Sequence, residues 1–291
     1  VPIAFATCSA WPEGRPDDQL VAQIVGDVEF PIWDDPGVHW TSYELVIIRS
    51  VWDYSHRVGD FLQWCERVGE RLRNTPELIA FNTDKRYLET LSVPIVPTVF
   101  VKPGDSLPGF DQEIVVKPSV SAGARDTGRF IPAQAEEASA LLAHIHASGR
   151  AALVQPYQVE VDTQGETAIV FFGGAISHVL HKRPVLRGAG VAPLSDMAHG
   201  PAAVMLDHDL VSAGSATEAQ LELAQEAHAE ITARFDAPLY MRVDMVSGPH
   251  GTPVIMELEM TEPNFYLDLA PGSPARFAAA IEAELTRIGA G

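Results

Sequence analysis

A chain of 291 residues with 46% hydrophobic content can bury a full core, and this length suits an enzyme-sized unit of two or three lobes. Its 39 Asp and Glu outnumber 20 Lys and Arg, and the formal charge of -19 disfavours broad contact with nucleic acid or anionic membrane, so any anionic ligand must be held by local lysines and arginines. No stretch approaches the roughly 18 apolar residues of a bilayer span, and VPIAFATCSAWPEG carries no basic segment before an apolar run; a soluble, cytoplasmic protein is expected.

In chain order, PIAFATC reads as a short apolar strand, DDQLVAQIVG as a helix, YELVIIRS as a second strand and DFLQWCERVGERL as a second helix. That alternation predicts a parallel sheet flanked by helices. After Asn74-Thr75-Pro76, FNTDKRYLETL is expected to be a helix capped by Asn82 or Thr83, opening a second unit. EIVVKPSVSAGARDTGRF then gives a buried strand over Ile114 to Val116 running into a Ser/Gly-rich loop, followed by the helix AQAEEASALLAHIHAS and the strand AALVQPY. Next come the strands ETAIVFF and AISHVLHK, a Pro/Gly-rich loop over 183–201, and a helix from Thr217, which forms a capping-box pattern with Gln220. The last helix is predicted from Ser273-Pro274 to about Ile288. Cys8 and Cys65 lack CxxC spacing and indicate neither a disulfide nor a zinc site; Cys8 is weighed as a nucleophile against the commoner fate of a small buried hydrophobe.

The densest chemistry lies in LYMRVDMV and VIMELEM. Strand side chains alternate, so Arg242 and Asp244 oppose Met241, Val243 and Met245, while Glu257 and Glu259 share a face with Ile255, opposite Val254, Met256, Leu258 and Met260. The intervening SGPHGTP predicts an antiparallel hairpin that gathers three carboxylates and an arginine on one side. Like charges across a sheet repel, and hard oxygen donors at this density suit Mg²⁺. The competing reading is a solvated strand face that Arg242 partly neutralises. Lys117 ends a buried strand ahead of Ser119, Ser121, Gly123 and Gly128, a loop able to line a polyphosphate with N–H groups or to be an ordinary turn. No P-loop or Rossmann fingerprint occurs.

This set, in this order, resembles the ATP-grasp ligases. The resemblance covers about the last two-thirds of the chain and implies an α/β fold with α+β lobes: an N-terminal parallel-sheet substrate lobe (1–80), a small mobile central lobe (81–155) and a C-terminal lobe with the metal site (156–291). It implies ATP and Mg²⁺, as two ions, as cofactors. Lys85 in NTDKRYL and Lys117 in VVKPS look like the family lysines on the phosphates, with Ser121 and Gly123 in the loop that closes over them. Gln155, Pro156, Tyr157 and Gln158 look like the adenine hinge, Glu166 the ribose acid, and Lys182 a basic residue near the γ-phosphate. Arg242 and Lys182 are then catalytic, and Asp244, Glu257 and Glu259 bind metal, although the family commonly has Asn where this chain has Glu259.

IRSVWDY, FNTDKRYL, VQPYQVEV and ISHVLHKRP are similar to the branch containing O-ureido-D-serine cyclo-ligase. Membership there implies ATP-driven activation of an amino-acid carboxylate and ring closure through an acylphosphate, with Arg49, Asp53 and Tyr54 contacting the substrate. Trp52 and Tyr54 can equally be interface packing. The partners implied are a small amino-acid substrate and ATP, with no nucleic acid and no membrane, and a homodimer is entertained. The alternatives are an intermolecular amino-acid or peptide ligase, an inactive nucleotide-binding module, and an acidic metal-binding protein without ATP. The 119–128 and 183–201 segments are expected to be lids.

Overall fold

The computed structural model describes residues 2–193, 205, 207 and 209–290; of the lid expected over 183–201, residues 194–201 lie outside the described residues. Strand β1 (Ile3–Thr7), helix α1 (Pro16–Val25), β2 (Val28–Glu29), β3 (Leu45–Ser50), α2 (Val58–Val68) and β4 (Leu72–Arg73) form a four-stranded sheet in the order β2-β1-β3-β4, and its pairs are parallel. β1 and β3 are buried along their whole length, as the sequence expects of parallel strands covered on both faces. Behind them Trp33, Phe61 and Trp64 pack edge-on or stacked with centroids 5.5 to 6.0 Å apart.

Helix α3 (Pro76–Thr83) corrects the expected capping. Thr75 accepts from Leu78 N and Pro76 occupies the first turn, so the helix starts earlier than FNTDKRYLETL suggests and ends where that segment was to begin. Asn82 and Thr83 are not caps: both are buried, Thr83 bonding Ile79 O and Asn82 bonding the backbone of Leu258 and Met260. Asp84 caps the following 3-10 segment, Lys85–Thr90.

The central sheet is built from β5 (Val99–Val101), β6 (Ile114–Pro118), β7 (Gly128–Phe130) and β8 (Ala152–Pro156), with α4 (Ala135–Ala147) packed against it. After the short α5 (Val161–Gln164), the third sheet starts with β9 (Glu166–Phe172) and β10 (Ala175–Lys182); β11 (Gly190–Val191) then returns to pair with β7. β12 (Val211–Ala213), α6 (Glu218–Arg234), β13 (Tyr240–Ser247) and β14 (Pro253–Glu259) complete a sheet ordered β12-β10-β9-β13-β14, and α7 (Ser273–Gly289) packs its Phe277 and Ile281 into the core shared with the first sheet.

β14 is an edge strand whose unpaired backbone is covered from outside. Asn74 bonds Tyr240 O, Met260 O and Leu239 N, Asn82 bonds Leu258 O and Met260 N, and the Tyr87 hydroxyl donates to Leu258 O and accepts from Leu258 N. These polar side chains fix residues 74–87 to the hairpin and so bring Lys85 to its charged face.

The hairpin pairs as expected at one end, with Arg242 opposite Glu259 and Asp244 opposite Glu257. A bulge then shifts the register, so that Met245 faces Ile255. This corrects the predicted alternation: Ile255 packs with Met245 and Leu258 in the core, whereas Val254 and Met256 turn to the other face beside Val246 and Val161. The bulge sets an apolar patch next to the acids.

Candidate active site

A cavity of about 1220 Å³ runs between the three sheets. Strand ends and loops of every lobe reach it, which is where α/β sheets place ligands. The expected residues Lys85, Lys117, Ser121, Gly123, Gln155, Pro156, Tyr157, Gln158, Glu166, Lys182, Arg242, Asp244, Glu257 and Glu259 all line its wall, as do Asp53 and Tyr54.

Arg49 is the exception. Its guanidinium is buried behind the wall, paired to Asp18 at 2.7 Å, donating to Pro263 O and lying 4.0 Å over the Phe265 ring. The structure thus sets Arg49 apart from the cavity lining, held by Asp18, which also accepts from Ser50 at 2.7 Å.

The charged groups of the cavity are cross-linked by sequence-distant pairs. Lys182 and Glu166 are register partners on β10 and β9, and Lys182 Nζ lies 2.8 Å from Glu166 and 2.7 Å from Asp244. Burial alone would lower the Lys182 ammonium, but Asp244 and Glu166 outweigh it and hold it above the lysine range. Arg242 forks onto Asp244 at 2.8 and 2.9 Å, pairs with Glu259 and donates to Asn264 O. Lys85 Nζ is 3.1 Å from Glu257 and bonds Ser121 O, tying the hairpin to the Ser/Gly loop.

Two imbalances remain. Lys117 enters no ion pair among the described residues; burial, helped by Lys85 and Lys182, lowers its ammonium against the pull of Glu257 and Glu166. On the acid side, burial together with Asp244 and Glu257 pushes Glu259 up to about 7 against Arg242, and burial together with Glu259 pushes Glu262 up to about 8. An amine short of negative charge and carboxyls short of positive charge thus line the same cavity.

Among the described residues no three His, Cys, Asp or Glu are arranged as a metal cluster, because each acid of the hairpin is drawn onto a lysine or arginine. The donor chemistry nevertheless fits a hard cation: burial, with Asp244 and Glu257 beside it, pushes the Glu259 carboxyl up, a condition that a divalent ion would relieve. The loop after Lys117 turns through left-handed backbone at Gly123, Ala124 and Asp126, with φ of 62°, 56° and 54°, and Asp126 is anchored on Arg150 at 2.9 Å. Two of those three positions carry side chains, so the turn is held against local preference.

At the hinge, the Gln155 amide donates to Thr98 Oγ1 at 2.8 Å, and Tyr157 carries the Arg129 guanidinium 3.5 Å above its ring. Met256, which the bulge turns out of the core, also lines this cavity. Sequence reasoning missed it, together with Trp11, Arg15, Glu262 and Asn264. Cys8 reaches the wall too, but it is buried and its thiol is pushed up by desolvation, as a small hydrophobe rather than an activated nucleophile would be.

This arrangement has counterparts among known proteins. The family model for the N-terminal domain of D-cycloserine synthetase DcsG matches residues 3–74. The cycloserine biosynthesis protein DcsG of Streptomyces lavendulae is 35% identical over 271 residues, spanning 87% of either chain. The chain belongs to the D-cycloserine synthetase family of ATP-grasp ligases. The crystal structure of D-cycloserine synthetase DcsG superposes on this ligase with a TM-score of 0.86 at 32% identity, over 98% of this chain and all of that one. The D-alanine–D-alanine ligase of Bacillus anthracis complexed with ATP matches over 99% of this chain and 98% of its own with a TM-score of 0.63; at 14% identity it shares the fold. No described helix of this ATP-grasp ligase is long and apolar enough to cross a membrane.

Proposed function

We propose that this ligase closes O-ureido-D-serine to D-cycloserine at the expense of ATP, as a cytoplasmic enzyme with Mg²⁺ as counter-ion. The observation that carries the reading is the near-full-length similarity to the cycloserine biosynthesis protein, 35% over 87% of both chains. The cleft supplies chemistry that such a reaction needs. In the family's chemistry the nucleotide gives its γ-phosphoryl group to a carboxylate, and a nitrogen of the same molecule displaces the phosphate from the acylphosphate; for D-cycloserine to result, the ureido carbonyl and its terminal amine must then leave with water as carbon dioxide and ammonia.

Lys85 and Lys117 would neutralise phosphate oxygens, Lys117 recovering the charge partner it lacks. Met256, Val96 and Tyr157 offer an apolar bed for the base, and Gln155 and Glu166 are the polar groups that would fix base and ribose. Asp244, Glu257 and Glu259 are the residues that would hold Mg²⁺, as two ions, and Glu259 would ionise fully on doing so. Lys182 is held charged by Asp244 and Glu166 beside the transferring group. Arg242, gripped by Asp244 and Glu259, is preset to meet the oxyanion as the ring closes. Because nucleophile and carboxyl belong to one substrate, holding both in a closed cavity contributes proximity without a second binding step. The Ser/Gly loop over 119–128 would shield the acylphosphate from water.

Mass spectrometry of products after incubation with Mg-ATP and O-ureido-D-serine tests the reading. D-cycloserine with stoichiometric ADP is expected; ADP formed only on adding a separate amine would point to an intermolecular ligase instead.

A further inference from the structure

The N-terminal side of the cavity carries a cation that no carboxylate among the described residues pairs with. Arg15, in the loop after β1, has its guanidinium 5.2 Å from the Trp11 ring centroid and 4.8 Å from that of Trp52. The two indoles meet edge-on at 6.4 Å, giving the guanidinium a fixed aromatic seat. Its Nε is buried without a hydrogen-bond partner, and among the described residues the side chain enters no ion pair. The two acids of the following helix turn are occupied: Asp18 holds Arg49, Ser50 and the Arg15 backbone N–H, and Asp17 accepts from Leu267 N, while the exposed Glu13 makes no ion pair with Arg15 among the described residues. In a chain of net charge -19, a cleft arginine without a carboxylate is a group prepared for something else.

We infer that Arg15 is the specificity residue for the ureido end of the substrate, donating from its planar fork to the ureido carbonyl. The inference rests on the cyclo-ligase reading above. The connectivity places Arg15 at the right end of the cleft. Trp52 Nε1 donates to Glu262 O, and Arg242 Nη1 donates to Asn264 O, so one short loop has the aromatic seat on one side and the proposed oxyanion group on the other. A substrate whose carboxyl faces Arg242 and the lysines then extends its side chain toward Trp52 and Arg15. The group it presents there is flat and neutral, with a strong acceptor. A guanidinium seated on rings, rather than paired to an acid, keeps its outward N–H donors for such an acceptor.

The test is steady-state kinetics of wild type, Arg15→Ala and Arg15→Lys with O-ureido-D-serine, alongside the thermal shift produced by Mg-ATP. Loss of a hydrogen bond from a charged donor should raise KM for O-ureido-D-serine about 10- to 100-fold in Arg15→Ala, with KM for ATP and the nucleotide-induced shift unchanged. Arg15→Lys keeps the charge without the planar fork and should recover only part of the loss. D-serine, which carries the same carboxylate and amine without the ureido group, serves as competitor: its inhibition constant should stay within about two-fold. A KM for O-ureido-D-serine unchanged in both variants overturns the assignment, and so does an equal weakening of D-serine, which would put Arg15 on the carboxylate. A wild-type enzyme inactive on O-ureido-D-serine overturns the functional reading itself, a failure separate from a variant that behaves like an active wild type.

Discussion

Two arginines, one in each outer sheet, look alike in sequence and differ in what they do. Arg49 lies near the end of β3 of the N-terminal sheet and Arg242 lies in β13 of the C-terminal sheet; both are buried, and each pairs with an aspartate at under 3 Å. Asp18 reaches Arg49 from α1 on the far side of the cavity wall, so that pair is part of the packing between the first sheet and the loop at Pro263. Asp244 lies two residues from Arg242 on the same face, so its pair stays on the wall and shares its charge with Lys182 and Glu259. A buried ion pair is thus neutral as to role. Whether its partner approaches from behind or from beside decides between scaffold and site.

The largest effect should come from separating the two pairs by mutation. Arg49→Met leaves Asp18 buried with hydroxyl and amide donors but no counter-charge, a change that costs about 3–5 kcal/mol. Denaturant titration should show that loss, while kcat of the remaining folded enzyme stays near wild type; a large fall in kcat at full stability would return Arg49 to the site. Arg242→Ala differs in turnover: it too takes a counter-charge from Asp244 and Glu259 and should lower stability, but kcat of the remaining folded enzyme is expected to fall by roughly 10²–10³-fold as well, the loss typical of one oxyanion donor. A rate within a few-fold of wild type would remove it from that role.

The sequence carried the distinction only in part. Alternating strands and helices before residue 75, the capping box at Thr217 and the acid face of the hairpin are local patterns, and the structure has them where periodicity puts them. The bulge at Met256 is not local. Val254 and Met256 match Leu258 in type and spacing, and only pairing against β13 turns them to the other face, where Met256 reaches the cavity. The setting of Arg49 was illegible for a related reason: its partner lies 31 residues upstream on another element, and no window around RSVWDY contains it. Arg15 and Trp11 sit in WPEGRP, a loop without periodicity. The rule that drew attention to the end of β3 applies equally to the end of β1, and that was the available signal.

Between those extremes, Glu262 reports how much unrelieved negative charge the wall contains. Its carboxyl is pushed up to about 8 by burial and by Glu259. An unfolded glutamate ionises near 4.3, so the folded protein keeps this proton while the unfolded chain loses it. Stability from Glu262 is therefore complete below about pH 4, declines as pH rises, and is gone above about pH 8. Glu262→Gln stays neutral throughout, so its stability relative to wild type should grow over that window and then level off. The expected gain is on the order of 2–4 kcal/mol, read from urea denaturation at pH 5, 7 and 9. A constant difference across these pH values would mean that Glu262 is ionised in the folded protein already.

The smallest effect sharpens the comparison within one type of residue. Lys182 and Lys117 both line the cleft, but of the two only Lys182 is paired among the described residues, to Asp244 and Glu166. Removing Lys182 strands two buried acids and would confound binding with stability. Removing Lys117 strands none, since burial and its lysine neighbours already hold its ammonium low. Lys117→Met should leave the melting temperature without nucleotide equal to or above that of wild type. Binding of Mg-ATP should nevertheless weaken about 10-fold, roughly 1.4 kcal/mol, because the phosphates lose the cation that had no other partner. A smaller nucleotide-induced thermal shift at equal Mg-ATP concentration is the readout. If the shift is preserved, the lowered charge of Lys117 is a consequence of packing alone, and Lys85 and Lys182 suffice for the phosphates.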